Sequence, residues 1–192
     1  MEYVPPQLLE AQLAALRALR AAEDFPEGVR WEATPHGIVM MTTADYEQAR
    51  IRTLIGEQLA RSLDGLDIEN DVAFMTAAHG ERTPDLFVIA PAERAEFREG
   101  HFVSMRGVRL VLEVTSKATR KADIHEKPAE YAASDVPVYL IVDRKVPEVV
   151  VHHGPTGHGY AHTDRYPVGK DVALPGPIDM TLDMTFLPDY LD

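Results

Sequence analysis

Three short, almost unbroken apolar runs constrain this chain more than any other feature: TPDLFVIAP at 83–91, GVRLVLEVTS at 107–116 and VPVYLIVD at 136–143. A strand with one wet face alternates apolar and polar residues, whereas runs without alternation suit central strands covered on both sides. Covering them takes helices. Residues 44–63 place Ile51, Leu54, Ile55 and Leu59 on one helical face behind Thr43 or Asp45 as N-cap, and 121–134 also read as helix. Between them, Leu66, Ile68, Val72 and Phe74 alternate with Asp67, Glu69 and Asp71 as in a half-buried strand, followed by a turn at AHGER. The order is helix, strand, strand, strand, helix, strand, which predicts an α/β fold with a mixed sheet flanked by helices over 44–143.

Flanking pieces extend this core. Leucines 9, 13 and 16 in QLLEAQLAALRALRAA follow helical spacing and predict an amphipathic helix at 7–22, packed on the domain or on a second copy of the chain. RWEATPHGIVMMT reads as a turn and a short strand ending at Thr42 and Thr43. Residues 147–192 hold further strand-like pieces, EVVVHH, GYAHTDRY and MTLDMTF, between Gly and Pro. At 192 residues the whole is expected to be a single domain.

Composition removes several chemistries. There is no cysteine, which leaves any metal to carboxylates, histidines and carbonyls. No apolar run reaches the ~18 residues of a membrane span, and MEYVPPQLLEAQL lacks a signal peptide's basic start, so a cytoplasmic protein is expected. The net charge is -12, yet Ser104 to Lys127 holds six cations against three acids. Such an island suits a local phosphate-binding cleft or, equally, a solvated stretch of mixed charge. Neither a Walker A loop nor a GxSxG elbow occurs. His152, His153, His158 and His162 straddle a Gly/Pro-rich turn without an HExxH helix, which argues against zinc.

Two acids sit where a covered strand does not want them: Asp85 before LFVIA, and Glu113 inside VRLVLEVT. A carboxylate there is neutralised, paired or bound to a cation. Alone, Asp85 could cap the turn after Pro84 and Glu113 could pair with an arginine. Placed together by adjacent strands, they form the minimum of a magnesium site. Glu47 is a candidate third acid, or simply a first-turn acid favoured by the helix dipole. Lys127, four residues after Asp123 and four before Tyr131, shares a helical face with both. It is either a reactive-site cation or a solvated partner of Asp123, and Tyr131 either orients it or packs in the core.

Pro84-Asp85, then Glu113-Val114-Thr115-Ser116, then Asp123, Lys127 and Tyr131, followed by VPVYLIVD, resembles the Uma-type restriction endonucleases. These are a branch of the PD-(D/E)XK nuclease superfamily. The ending PIDMTLDMTFLPDY is similar to that family's C-terminal segment. The resemblance implies a restriction-endonuclease-like core and hydrolysis of DNA phosphodiesters with Mg²⁺, for which Mn²⁺ would substitute. It implies Asp85, Glu113 and the Thr115 carbonyl as metal ligands and Lys127 as the catalytic lysine. The superfamily's usual strand lysine falls at Thr115, a departure. Lys117 shares that face but lies roughly 13 Å along the strand from Glu113, and the family places its lysine at Lys127. Pro128 is expected to start or kink the helix there. Lys117, Arg120 and Lys121 would hold the DNA backbone. The alternative function is a catalytically inactive nuclease fold acting as a binding or regulatory module, and a homodimer through the N-terminal helix is compatible with either.

Overall fold

A computed structural model describes residues 6–20, 30–34, 37–41, 44–78, 80–98 and 100–191. Helix α1 (Pro6–Arg20) packs on a hairpin of β1 (Arg30–Thr34) and β2 (Gly37–Met41), burying Leu16. RWEA is therefore strand rather than turn. Residues 21–29, 42 and 43, including the expected helix end and strand end, lie outside the described residues. Helix α2 (Tyr46–Ser62) begins at Asp45, whose side chain accepts from the Gln48 N–H and satisfies one of the orphan donors of a helix start.

The segment expected as one alternating strand is two: β3 (Asp67–Glu69) and β4 (Ala73–Met75), which belong to different sheets. Asp71 between them has φ +55°, a left-handed turn conformation that Asp tolerates and a continuous strand does not. β5 (Glu81–Arg82) takes over part of the expected AHGER turn, and β6 (Leu86–Ile89) follows. Then come β7 (Phe97–Arg98), β8 (His101–Phe102) and β9 (Val108–Val114). The expected helix at 121–134 is split into α3 (Arg120–His125) and α4 (Lys127–Ala133), with Pro128 in the first turn of α4. There its missing N–H breaks no hydrogen bond. The remaining elements are β10 (Val138–Asp143), β11 (Glu148–Thr156), β12 (Gly159–Pro167), β13 (Val172–Leu174), β14 (Met180–Leu182) and a 3-10 turn at Leu187–Tyr190.

The main sheet runs β12-β11-β10-β9-β6-β3, with β9 and β10 parallel and the other pairs antiparallel. It is the expected mixed sheet, widened by β11 and β12. A smaller sheet, β5-β4-β8-β7, stands beside it. The unbroken apolar runs resolve into two cores. Leu86, Val88, Leu110, Leu112 and Val114 face Ile51, Ile55 and Leu59 of α2, whereas Phe87, Val111, Tyr139 and Ile141 pack on the opposite side with Tyr131 of α4. Each such buried side chain contributes roughly 1.5–3 kcal/mol.

Candidate active site

β6 pairs with β9 in the register Leu86↔Leu112, which carries Asp85 to the position opposite Glu113. Residues opposite one another in an antiparallel pair share a face. Both carboxylates thus lie on the α4 side of the sheet and are buried, Asp85 2% and Glu113 3% exposed. Asp85 Oδ2 accepts from the Val114 N–H at 2.9 Å and from Gln48 Nε2 at 3.0 Å, while the same amide donates to the Val114 carbonyl at 2.9 Å. The side chain that reaches in from α2 is Gln48, not Glu47. The buried line of α2 runs Gln48, Ile51, Ile55, Leu59, so Glu47 stands one residue, about 100° of helix, away from it.

Lys127 donates to Glu113 Oε1 at 2.7 Å and lies 2.8 Å from Asp123 Oδ1. Its side chain is 2% exposed, so the solvated i,i+4 pair expected as one alternative does not describe it. Tyr131 also donates to Glu113 Oε1, at 2.9 Å, and Tyr139 donates to the Asp123 carbonyl at 2.8 Å, tying α3 to β10. Burial pushes the Glu113 carboxyl up; Lys127 opposes, but the charges of Asp123, Asp85 and Glu32 reinforce the rise, to about 8. Asp123 is raised by burial despite Lys127. Burial works against the Lys127 ammonium, yet Asp123, Glu113 and Glu32 hold its pKa well above the ordinary lysine value.

A second buried ion network adjoins the first. Arg82, 2% exposed, donates to Glu32 Oε2 at 3.0 Å and grips Glu130 through two bonds of 2.8 and 2.7 Å. Glu32 Oε1 accepts from the Thr83 N–H at 2.8 Å, which fixes the turn that leads through Pro84 to Asp85. Burial would raise Glu32, but Lys127, Arg82 and the Thr83 N–H hold it below the usual glutamate value. Sequence reasoning passed over Glu32 and Arg82. Glu32 is a charge between Trp31 and Ala33, but Arg82 stands between Glu81 and Thr83, and both lie in segments too short to show a period.

Thr115 occupies the strand-lysine position. Its N–H donates to the Val142 carbonyl at 2.9 Å, and its hydroxyl accepts from the Arg144 N–H at 3.1 Å. Thr115 also lines a cleft of about 620 Å³ together with Ser116, Lys117, Arg120, Lys121, His125, Arg144, Lys145 and Asp45. Five of these nine are lysine or arginine. Arg120 is held by both oxygens of Asp143, and Arg144 by both oxygens of Asp45, whereas Lys117 and Lys121 are exposed.

The chain matches the family model "Uma2: Putative restriction endonuclease" over residues 14–185. It belongs to this family. Among solved structures, the Uma2 chain is similar to one titled as a putative nuclease belonging to DUF820 from Anabaena variabilis. The TM-score is 0.66 at 12% identity, with 90% of this chain and 96% of that chain covered. The likeness shows the restriction-endonuclease-like fold. No curated protein matches. Family and fold make this Uma2 protein a nuclease by class, with nucleic acid as its partner. No described helix is long and apolar enough to cross a membrane.

Two buried carboxylates facing each other across β6 and β9, with a strand-end carbonyl two residues beyond, are a set of hard oxygen donors suited to Mg²⁺ or Mn²⁺. The raised Glu113 supports the fit. Its affinity for a proton comes from burial and from neighbouring anions, and a divalent cation answers the same excess of negative charge. Among the described residues no group of three or more His, Asp or Glu side chains converges, so backbone and water would complete such a shell.

Proposed function

We propose that this chain is a Mg²⁺-dependent endonuclease that hydrolyses DNA phosphodiesters, with Asp85, Glu113 and the Thr115 carbonyl holding the ion and Lys127 as the catalytic cation. One observation carries the reading: Asp85 and Glu113 face each other with the Lys127 ammonium on Glu113, and the strand that holds Glu113 ends in a cation-lined cleft. Bound there, the ion supplies Lewis acidity toward a phosphate oxygen and a more acidic water.

The chain's own groups do the rest. Asp123, Glu113 and Glu32 hold the Lys127 pKa well above the ordinary lysine value, which suits it as a donor and a counter-charge rather than as a general base. An ammonium has three N–H bonds; Glu113 accepts one and Asp123 lies beside it as a counter-charge, which leaves donors for the attacking water or a phosphate oxygen. Gln48 and the Val114 N–H orient Asp85, and Tyr131 orients Glu113. Lys117, Arg120 and Lys121 hold the backbone across the cleft, contacts that give affinity without sequence readout. Glu47, off the inward face, is left an accessory role.

A second reading, a catalytically silent binding module, is favoured by Thr115 at the strand-lysine position and by the sharing of Lys127 between two acids. Nicking of supercoiled plasmid with Mg²⁺ or Mn²⁺ separates the two. The enzyme predicts cleavage by the wild type that Asp85→Ala and Glu113→Ala abolish. Equal cleavage by all three assigns the activity to another site or a contaminant, and metal binding by calorimetry with no cleavage of any DNA form supports the module. A homodimer joined through α1 belongs to the same proposal. Leu19, Val39 and Met40 are exposed on α1 and the hairpin it covers, and light scattering tests it.

A further inference from the structure

Arg144 stands just past the end of β10, and its side chain is only 6% exposed although it lines the cation-rich cleft. Its two ends hold different parts of the candidate site. The backbone N–H donates to the Thr115 hydroxyl at 3.1 Å, and Nη1 reaches the start of α2, 3.0 Å from Asp45 Oδ1 and 2.7 Å from Oδ2. Asp45 Oδ1 also accepts from the Gln48 N–H at 2.7 Å as the cap of α2, and the Gln48 amide donates onward to Asp85 Oδ2 and the Val114 carbonyl. Val114 adjoins Thr115 in the chain, so these contacts close a ring from Arg144 through Asp45, Gln48 and Val114 to Thr115 and back. Asp85 is fastened to that ring by two bonds, from Gln48 and from the Val114 N–H. Three residues past the cap, Gln48 sits where a capping box folds its side chain back onto the helix start. Here it reaches inward instead. Helix ends fray and a glutamine side chain loses much rotamer freedom when fixed, so the inward Gln48 needs a first turn that is itself held.

We propose that Arg144 and Asp45 are positioning residues of the candidate active site, their ion pair fixing the first turn of α2 so that Gln48 stays on Asp85. Asp45 alone is a weak anchor. Its side chain is 46% exposed, where water competes for it, whereas Arg144 is buried and tied by its own backbone to Thr115. The pair therefore joins the start of α2 to the ends of β9 and β10, the two strands that carry Glu113 and lead into the cleft. A competing role for Arg144 is a plain contact with a DNA phosphate, like that of the other cations lining the cleft. The two roles part clearly. A phosphate contact asks nothing of Asp45 and sets DNA affinity, whereas positioning needs both residues and sets the geometry around Asp85. The catalytic consequence rests on the nuclease reading; the hold on Gln48 does not.

The test uses the full-length chain and the variants Arg144→Met and Asp45→Ala, well below their melting temperatures. The first readout needs neither metal nor DNA: hydrogen exchange of the Gln48 side-chain amide and the Val114 N–H, followed by NMR, is expected to quicken about tenfold in both variants. Asp45→Asn, still a good cap and still an acceptor for Arg144, is expected to recover part of that protection. The second readout is Mn²⁺ affinity by calorimetry and the single-turnover rate of plasmid nicking. Each variant is expected to lose about 10–100-fold in one or both, with DNA affinity little changed, and the double variant to be no worse than the worse single one. Unchanged exchange at Gln48 in both variants overturns the proposal. So does a loss confined to DNA affinity and to Arg144→Met, which assigns the guanidinium to phosphate contact, or a loosened Gln48 with Mn²⁺ affinity and rate intact. A wild type that neither binds Mn²⁺ nor cuts DNA ends the nuclease reading and the catalytic consequence with it, and the Gln48 exchange then decides the hold by itself. Should Arg144→Met fail to fold, Asp45→Ala at the exposed end of the pair carries the same measurements.

Discussion

Replacing Arg82 by Met tests the second ion network most directly. The guanidinium is 2% exposed and makes three hydrogen bonds of 2.7–3.0 Å to Glu32 and Glu130. Met fills much of its volume but leaves two carboxylates without their counter-charge in a buried setting, a loss of about 3–5 kcal/mol. For a chain of this length each kcal/mol moves Tm by about 2–4 °C, so a drop of roughly 6–20 °C is expected in calorimetric or dichroic melts at neutral pH. The pH dependence has a definite sign. In the wild type Glu32 is held below its ordinary 4.5, so it stabilises the fold above that value, and the contribution fades as pH falls through the lower folded value. Without Arg82 its folded pKa rises, and the variant loses that stability near neutrality. The gap between the two proteins therefore widens from acid to neutral pH. Adding Glu32→Gln and Glu130→Gln to Arg82→Met removes the stranded charges and is expected to restore much of the loss. A Tm change below about 2 °C, or a gap that narrows toward neutral pH, refutes the reasoning.

Three further outcomes follow from particular contacts. Lys127→Met is expected to lower plasmid nicking at least 10²-fold in kcat with little change in DNA affinity, since the ammonium lies on Glu113 and outside the cleft lining; single-turnover kinetics and a filter-binding titration separate the two. Lys117→Ala is expected to weaken DNA binding for every sequence alike and to flatten the plot of log affinity against log salt by about one unit of slope; a change for only some sequences contradicts backbone contact. Gly107→Ala is expected to cost more than ~1 kcal/mol in urea unfolding, because φ is +85° and the new Cβ would stand 2.8 Å from the Arg94 backbone nitrogen.

What could be read from the chain alone was whatever rested on a run or a period. The three apolar runs became β6, β9 and β10, and the four-residue spacing of Asp123, Lys127 and Tyr131 put them on one side of α3 and α4. Pro128 marked the start of α4. Where the reading failed, the deciding event was tertiary or a matter of phase. Glu47 and Gln48 are neighbours, and only the burial of Ile51, Ile55 and Leu59 against the sheet settles which of them turns inward. Glu32 and Arg82 are 50 residues apart and meet only because the β1–β2 hairpin folds against β5. The smaller sheet is built from strands of two or three residues, too short for alternation to be visible.

The bonds that shape the candidate site join distant parts of the chain: Gln48 to Asp85 spans 37 residues, Gln48 to Val114 spans 66, and Asp45 to Arg144 spans 99. A nascent chain leaving the ribosome, or a fragment clipped before Arg144, holds one half of each clasp and nothing to close it on. Assembly of the candidate site is thereby delayed until translation has passed the far side of the central sheet.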